Sequence, residues 1–341
     1  MNRNSSHCER LRAIVRSFPN ITVAVLADLV ADEFVCGDIS QVSSEAPVLI
    51  LKHRERLLLP GGGANAVMNL ADLRVNVLPV GIVGDDEPGR LILEAFRGRK
   101  IPVSGIARLK DHSTPVRTRI MAATRGARQQ VVRVDRDSPL LSETHPALLN
   151  LVSSAREYAK AADALLVSDY GYGAATPRLV TFIRSKGALD HVPVTLDSRS
   201  RTLEYTGMTA VTLSEDEAAA ALKLASGGDE RLHSAGRELM ERMKLASLVI
   251  TRGSDGMLAF DGSKKPLEIP IHASGQVADT TGVGDTLIAA FTAALAAGAD
   301  TESAARLAGF ACAIVMMKQG TATISQAELL NALAEVTAHA K

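Results

Sequence analysis

The sequence predicts an α/β fold: a mostly parallel sheet flanked by helices on both faces, with a small β-sheet lid. Short runs that are almost wholly apolar, such as Ile21–Ala27, Ala164–Val167 and Leu248–Thr251, recur along the chain, as strands buried on both faces do. Helical periodicity fills most of the intervals between them, the alternation that builds a parallel sheet. Two stretches, Phe34–Leu59 and Thr114–Asp135, break this rhythm with short alternating patterns, charged residues and no helix. Val132-Arg133-Val134 is one example, and such alternation suits strands with one wet face, hence a separate small sheet.

Taken in order, Ile21–Ala27 is a first strand that ends at Asp28, and lid strands occupy 34–59. The turn Pro60-Gly61-Gly62-Gly63 leads into a helix over Ala64–Leu73, where Val67, Leu70 and Ala71 repeat at helical spacing. A strand over Val75–Val83 and a helix over Gly89–Phe96 precede the second lid segment, 114–135. Next come a helix at Pro146–Ala162, a strand at Ala164–Val167, a helix at Thr176–Lys186, and strands at Val192–Leu196 and Ala210–Leu213. Helices over Ser214–Leu224 and Arg231–Lys244 lead to the strand Leu248–Thr251. The last third is helical, with Asp285–Ala297 and Glu302–Met317 joined by the turn Gly298-Ala299-Asp300. Residues 1–19 and the final few are expected to be frayed ends. No internal repeat or low-complexity linker divides the 341 residues, so 1–341 reads as one domain with a large core and the lid strands inserted.

Lysine plus arginine (38) equals aspartate plus glutamate (38), so no bulk field invites nucleic acid or an acidic membrane. An anionic ligand must be held locally. Cys8, Cys36 and Cys312 follow no metal or disulfide spacing and fit a reducing cytoplasm. Glu9, Arg10, Arg12 and Arg16 interrupt any secretory signal, and Leu287–Ala299 is too short for the roughly 20 residues of a span. The expected protein is cytoplasmic, with no membrane or nucleic-acid partner.

The most informative stretch is Ala278-Asp279-Thr280-Thr281-Gly282-Val283-Gly284-Asp285-Thr286, which runs into an apolar helix. Gly282 and Gly284 allow backbone N–H groups, Val283 included, to gather round an anion, and the helix adds its positive N-terminal end. Asp285 sets a carboxylate beside that hole, where it would accept a proton from a hydroxyl as a phosphoryl group crosses. Phosphoryl transfer asks mainly for positioning and charge stabilisation, which an aspartate near its ordinary pKa can serve. The alternative is that Asp285 merely caps the helix. No Gly-Lys-Ser or Gly-Lys-Thr follows a glycine-rich turn, and Leu287 stands where a dinucleotide fingerprint needs a third glycine.

A second glycine-rich turn, Gly61-Gly62-Gly63, permits close backbone approach to a ligand, with Asn65 on the first turn of the next helix. Asp28, Asp169, Asp197 and Thr212–Glu215 directly follow apolar strand runs, and ligands of open α/β sheets sit outside the carboxyl ends of strands. Each could instead be a cap or turn former.

The early Gly-Gly-x-x-x-Asn and late Gly-x-Gly-Asp motifs together resemble those of the ribokinase-like (PfkB) carbohydrate kinases. Ala27–Phe34, Thr114–Arg119, Gln129–Arg136, Ser168–Gly171, Thr251–Met257 and Lys318–Thr323 are similar to the heptose-phosphate kinases among them, so the likeness spans roughly 20 to 335. It implies an ATP- and Mg²⁺-dependent kinase, with a monovalent cation such as K⁺ as a further candidate cofactor. The implied acceptor is a sugar or sugar phosphate, foremost C1 of D-glycero-D-manno-heptose 7-phosphate. Asp285 would be the base, with Gly282, Val283 and Gly284 as anion hole. Asp28, Asp32, Gly62, Gly63, Asn65 and Asp169 would line the sugar site. Arg119, and with it Arg117, Arg128 and Arg133, would bind a phosphate already on the sugar, since guanidinium suits phosphate; the alternative is a solvated face of salt bridges. Thr251, Gly253 and Gly256 would touch ATP, although Asp255-Gly256 also suits a hairpin turn. Glu215 would influence Mg²⁺ through water. The lid would cover the sugar and pair two subunits into a homodimer.

Several positions depart from the pattern. Thr212 replaces an asparagine, Val283 a small residue, Tyr172 a lysine, Ser198 a proline and Gly309 an asparagine near the adenine pocket. The second, nucleotidyltransferase unit of the bifunctional heptose enzymes is expected to be a separate protein. Rival readings are a kinase for another sugar or nucleoside, or a sugar-phosphate-binding protein with weakened catalysis.

Overall fold

The computed structural model describes residues 3–339 except 125–126, 143, 188, 225–227, 264 and 271–277. In chain order come α1 (Arg3–Ser17), β1 (Thr22–Ala27), β2 (Leu29–Val42), β3 (Leu49–Gly62), α2 (Gly63–Asp72), β4 (Asn76–Gly84), α3 (Glu87–Gly98), β5 (Ile106–Leu109), β6 (Val116–Thr124) and β7 (Ala127–Arg136). Next are α4 (Pro146–Ala161), β8 (Ala164–Asp169), α5 (Pro177–Arg184), β9 (Val194–Ser198), β10 (Ala210–Ser214), α6 (Glu215–Leu222) and α7 (Asp229–Met243). The chain finishes with β11 (Ser247–Thr251), β12 (Met257–Phe260), β13 (Leu267–Ile269), α8 (Val283–Ala296), α9 (Thr301–Val315) and α10 (Gln326–His339).

The main sheet runs β13-β12-β11-β10-β9-β8-β1-β4-β5. It is parallel from β11 to β5, and β12 and β13 add an antiparallel edge. Successive residues of β1 serve opposite layers, as the two-residue period of a strand requires. Val23, Val25 and Ala27 join the core with α1, α2, α3, α8, α9 and α10. Ala24 and Leu26 join the core with α4, α5, α6 and α7. Local signals start several helices: Asp86 caps α3, Thr176 caps α5, Ser214 and Glu217 form a capping box on α6, and Asp300 caps α9.

The second sheet, β3-β2-β6-β7, is the expected lid, with longer strands than the sequence patterns outline. β2 pairs antiparallel with β3 and parallel with β6. The chain enters the lid at Asp28 between β1 and β2, and returns at Gly62–Gly63, where β3 becomes α2 without a loop. Both crossings stand at the carboxyl edge of β1.

Against the expectation of frayed ends, residues 3–17 form α1, while residues 1–2 and 340–341 lie outside the described ones. Leu11, Val15 and Phe18 follow a single helical stripe and are buried, so the charged residues break the apolar run in sequence but not the stripe. α10 packs on α1 and buries Leu329 and Leu333. Among the described residues, no helix is long and apolar enough to cross a membrane.

Candidate active site

Gly282 caps α8 in the left-handed region (φ +79°), and its carbonyl receives the N–H of Thr286 at 3.0 Å. A Cβ there would come within 2.5 Å of Asn65 Nδ2, so a side chain is excluded on two counts. Gly284 faces open space. The N–H of Val283 turns back to Thr280 O at 3.4 Å, whereas those of Gly284 and Asp285 make no backbone hydrogen bond to a described residue. Of the expected anion-hole residues Gly282, Val283 and Gly284, Val283 thus has a backbone partner for its N–H, while the N–H of Gly284, and that of Asp285 beside it, is open. These free N–H groups at a helix start, beside open space, suit a phosphate oxygen.

Asp285 lies in the first turn of α8, 3% exposed. The hydroxyl of Tyr170 donates to its Oδ1 and Asn65 Nδ2 donates to its Oδ2 at 3.2 Å. Burial raises its pKa to about 6, opposed by the Tyr170 hydrogen bond, by Arg199 and by Asn65. Asn65, expected at the sugar site, holds Asp285, and Asn69 Nδ2 donates to its Oδ1 at 3.2 Å. Thr286 Oγ1 donates to Asn69 Oδ1, which ties α8 to α2 behind the carboxylate.

Two expected substrate ligands are consumed by the scaffold. Asp28 accepts the backbone N–H groups of Tyr170, Tyr172, Ala174 and Ala175 at 2.8–3.2 Å, so it fixes the loop after β8. Burial and the charge of Asp169 raise its pKa to about 6 against those bonds. Asp169 receives Ser198 Oγ, Tyr205 Oη, Arg201 and the N–H of Gly171. Neither carboxylate keeps an oxygen for a sugar. Asp197, at the exit of β9, is buried, and desolvation pushes its pKa to about 7 despite Arg199. Gly63 answers a packing demand: a Cβ would sit 2.6 Å from Ala27 Cβ and 2.7 Å from Asp28 O. With Gly62 (φ +51°), the other glycine expected at the sugar site, it forms the return hinge of the lid.

On the lid, Asp32 is buried and satisfied from two sides. Arg119 Nη1 donates to Oδ1 at 2.6 Å and Thr321 Oγ1 to Oδ2 at 2.7 Å. Thr321 links Asp32 to the start of α8, since the Thr321 methyl carbon lies 3.1 Å from where a Cβ of Gly282 would stand. Arg119 is accordingly the partner of Asp32 and not a free phosphate ligand. Arg128 pairs with Glu55 and Arg133 with Asp135. Arg117 has no carboxylate partner among the described residues; its guanidinium lies 4.3 Å from the centre of the Tyr170 ring.

Glu215, the first residue of α6, makes no hydrogen bond or ion pair with a described residue, so it is available to a metal-bound water. Among the described residues, no group of three or more His, Cys, Asp or Glu is placed to hold a metal ion. Thr251 ends β11, and Gly253–Asp255 makes the short turn into antiparallel β12, as the hairpin reading expects. Gly253 faces open space, whereas Gly256 packs against Ile269 O and has no room for a side chain.

At the positions that depart from the pattern, Thr212 pairs with Asp197 across β10 and β9. The Ser198 hydroxyl serves Asp169, that of Tyr172 donates to Asp137 Oδ1 at 3.1 Å, and Gly309 lies on α9. Tyr170, Arg199 and Thr321 belong to the site but carry no periodic or spacing signal; Tyr170 follows a strand-exit aspartate, and Tyr170 and Thr321 lie in the segments Ser168–Gly171 and Lys318–Thr323 of the family likeness. Arg199 Nη1 meets Glu217 at 3.1 Å and its Nη2 donates to Tyr170 Oη at 3.2 Å.

The sequence model described as pfkB family carbohydrate kinase matches residues 30–328. "Bifunctional protein HldE" of Pelobacter propionicus is 36% identical over 313 residues, covering 91% of this chain and 62% of that protein. The chain thus spans less than two thirds of that relative. The structure of Arabidopsis thaliana ribokinase complexed with ribose and ATP superposes with a TM-score of 0.72 at 20% identity, covering 92% of this chain and 98% of the other. Escherichia coli phosphofructokinase-2 in complex with substrates and products gives 0.74 at 17% identity, covering 93% and 99%.

Proposed function

The chain belongs to the pfkB family of carbohydrate kinases, and from that premise we propose that it transfers the γ-phosphoryl group of ATP to a hydroxyl of a phosphorylated sugar, foremost C1 of D-glycero-D-manno-heptose 7-phosphate. The observation that carries this reading is the start of α8, where free N–H groups adjoin open space and a buried carboxylate stands beside them. Asp285 takes the proton of the acceptor hydroxyl as the new phosphate ester bond forms. The N–H groups of Gly284 and Asp285 stabilise charge on the moving phosphoryl oxygens. Asp32 contacts the acceptor hydroxyls from the lid, and Thr251 and Gly253 border the nucleotide.

Mg²⁺ neutralises phosphate charge in such transfers and keeps most of its waters; Glu215 would hold one of them. A K⁺ requirement is part of the same proposal. The HldE relatives support the heptose acceptor, and Arg117 supports an acceptor that already bears a phosphate. The lid, whose strands leave Val42, Leu49 and Ile50 exposed, would join two copies into a homodimer. An ATP-using enzyme of this kind belongs in the cytoplasm.

The decisive experiment screens phosphorylated and unphosphorylated sugars with MgATP and repeats the best acceptor with Asp285→Asn. The expected kcat loss is roughly 10²–10⁴, the range for a positioned general base. A variant with wild-type kcat would remove Asp285 from the chemistry.

A further inference from the structure

Tyr170 is held at the site from several sides. Its backbone N–H is held by Asp28 Oδ2 at 2.8 Å. Its ring meets the guanidinium of Arg117, from lid strand β6, at 4.3 Å and that of Arg199 at 4.8 Å. A Cβ at the hinge residue Gly62 would lie 3.2 Å from Cε2 of the same ring. Its hydroxyl donates to Asp285 Oδ1 while accepting from Arg199 Nη2.

We propose that Tyr170 is a positioning residue: its hydroxyl holds the Asp285 carboxylate ready for the acceptor proton, and its ring ties that carboxylate to the lid through Arg117. The proposal rests on the kinase reading. A phenol has one proton to give. Arg199 occupies an acceptor lone pair of the oxygen, so that proton is committed to Asp285. Burial holds the hydroxyl well above its ordinary pKa, and it therefore stays protonated throughout the working range. Two guanidinium contacts, each attractive to an aromatic face, limit the ring's motion. Arg117 lies on the lid and Asp285 on α8, and the side chain of Tyr170 touches both.

Tyr170→Phe keeps the ring and removes only the hydroxyl. A hydrogen bond to the ionised form favours it, so its loss should raise the pKa of Asp285 by about one unit. The direct measurement is a ¹³C-carboxyl NMR titration of wild type and Tyr170→Phe, with Asp285→Asn assigning the resonance. The acid limb of kcat should move to higher pH in step, with kcat reduced about tenfold or more and KM for both substrates within about threefold. Tyr170→Leu also removes the ring and should add a rise in acceptor KM that the phenylalanine variant lacks. An unmoved Asp285 titration in a folded Tyr170→Phe protein overturns the positioning role. A wild type that phosphorylates no sugar overturns the kinase reading instead, and the titration still decides whether Tyr170 controls Asp285.

Discussion

At the scale of single residues, the lid arginines divide by what they already hold. Arg119 and Asp32 form a buried pair, and breaking such a pair leaves an uncompensated charge that costs about 3–5 kcal/mol. Arg119→Ala should therefore destabilise the protein and weaken turnover of phosphorylated and unphosphorylated acceptors alike. Arg117 is stacked on the Tyr170 ring and makes no ion pair with a described residue. Arg117→Ala should raise KM for a phosphorylated sugar at least tenfold, with KM for ATP and for the unphosphorylated sugar little changed. Steady-state kinetics on both acceptors separates the two arginines, and equal effects on both sugars in the Arg117 variant would refute the phosphate contact. The elevated pKa of Asp285 adds a pH signature. A base works when ionised, so kcat should rise with pH through about 6 and level off above it.

At the scale of elements, the lid is held on the main sheet by two crossings with no slack. β1 passes through Asp28 directly into β2, and β3 passes through Gly62 and Gly63 directly into α2. The carboxylate of Asp28 pins the loop after β8, the same loop that presents Tyr170. Gly63→Ala would press a methyl group into Ala27 and the backbone of Asp28, neither of which is a flexible side-chain end. A loss of about 1–3 kcal/mol is expected, the usual result of overpacking. Denaturant melts of this variant test whether Gly63 is kept for packing. An unchanged midpoint would return it to a ligand-contacting role.

At the scale of the whole molecule, several buried carboxylates pull stability in one direction with pH. Burial raises Asp28 and Asp285 to about 6 and Asp197 to about 7. The folded protein then binds protons that the unfolded chain releases above about pH 4. That contribution is complete below the unfolded pKa and is lost as pH rises through the folded values. Asp135 behaves oppositely: its hydrogen bond from Arg133 lowers its pKa, so its contribution is lost as pH falls through the folded value. Urea midpoints of the ligand-free protein should peak near about pH 5 and decline toward pH 8; a steady rise over that interval would contradict the burial of these acids. The lid's exposed apolar residues make the second prediction at this scale. Val42 and Leu49 face each other across β2 and β3. Replacing both with aspartate should convert a light-scattering dimer to a monomer at micromolar concentration without altering the fold.

The sequence by itself determined the layered α/β plan, because strands buried on both faces and amphipathic helices write their periods directly into the chain. It also singled out Asp285 and Gly282–Gly284, since a helix start with glycines and an acid is a local feature. The N-terminal segment was misread because a helical stripe at Leu11, Val15 and Phe18 is legible only when the partner that buries it, α10, is known. Only the tertiary structure decided which polar residues remain free to act. Asp28 and Asp169 look like ligands at strand exits, and backbone N–H groups and an arginine far along the chain claim them. Asn65 and Arg119 turn inward for the same reason, to partners 220 and 87 residues away. Tyr170 gains its place from contacts with four separate elements or loops. A buried polar group must find a partner, and which partner it finds depends on distant segments that no local pattern specifies.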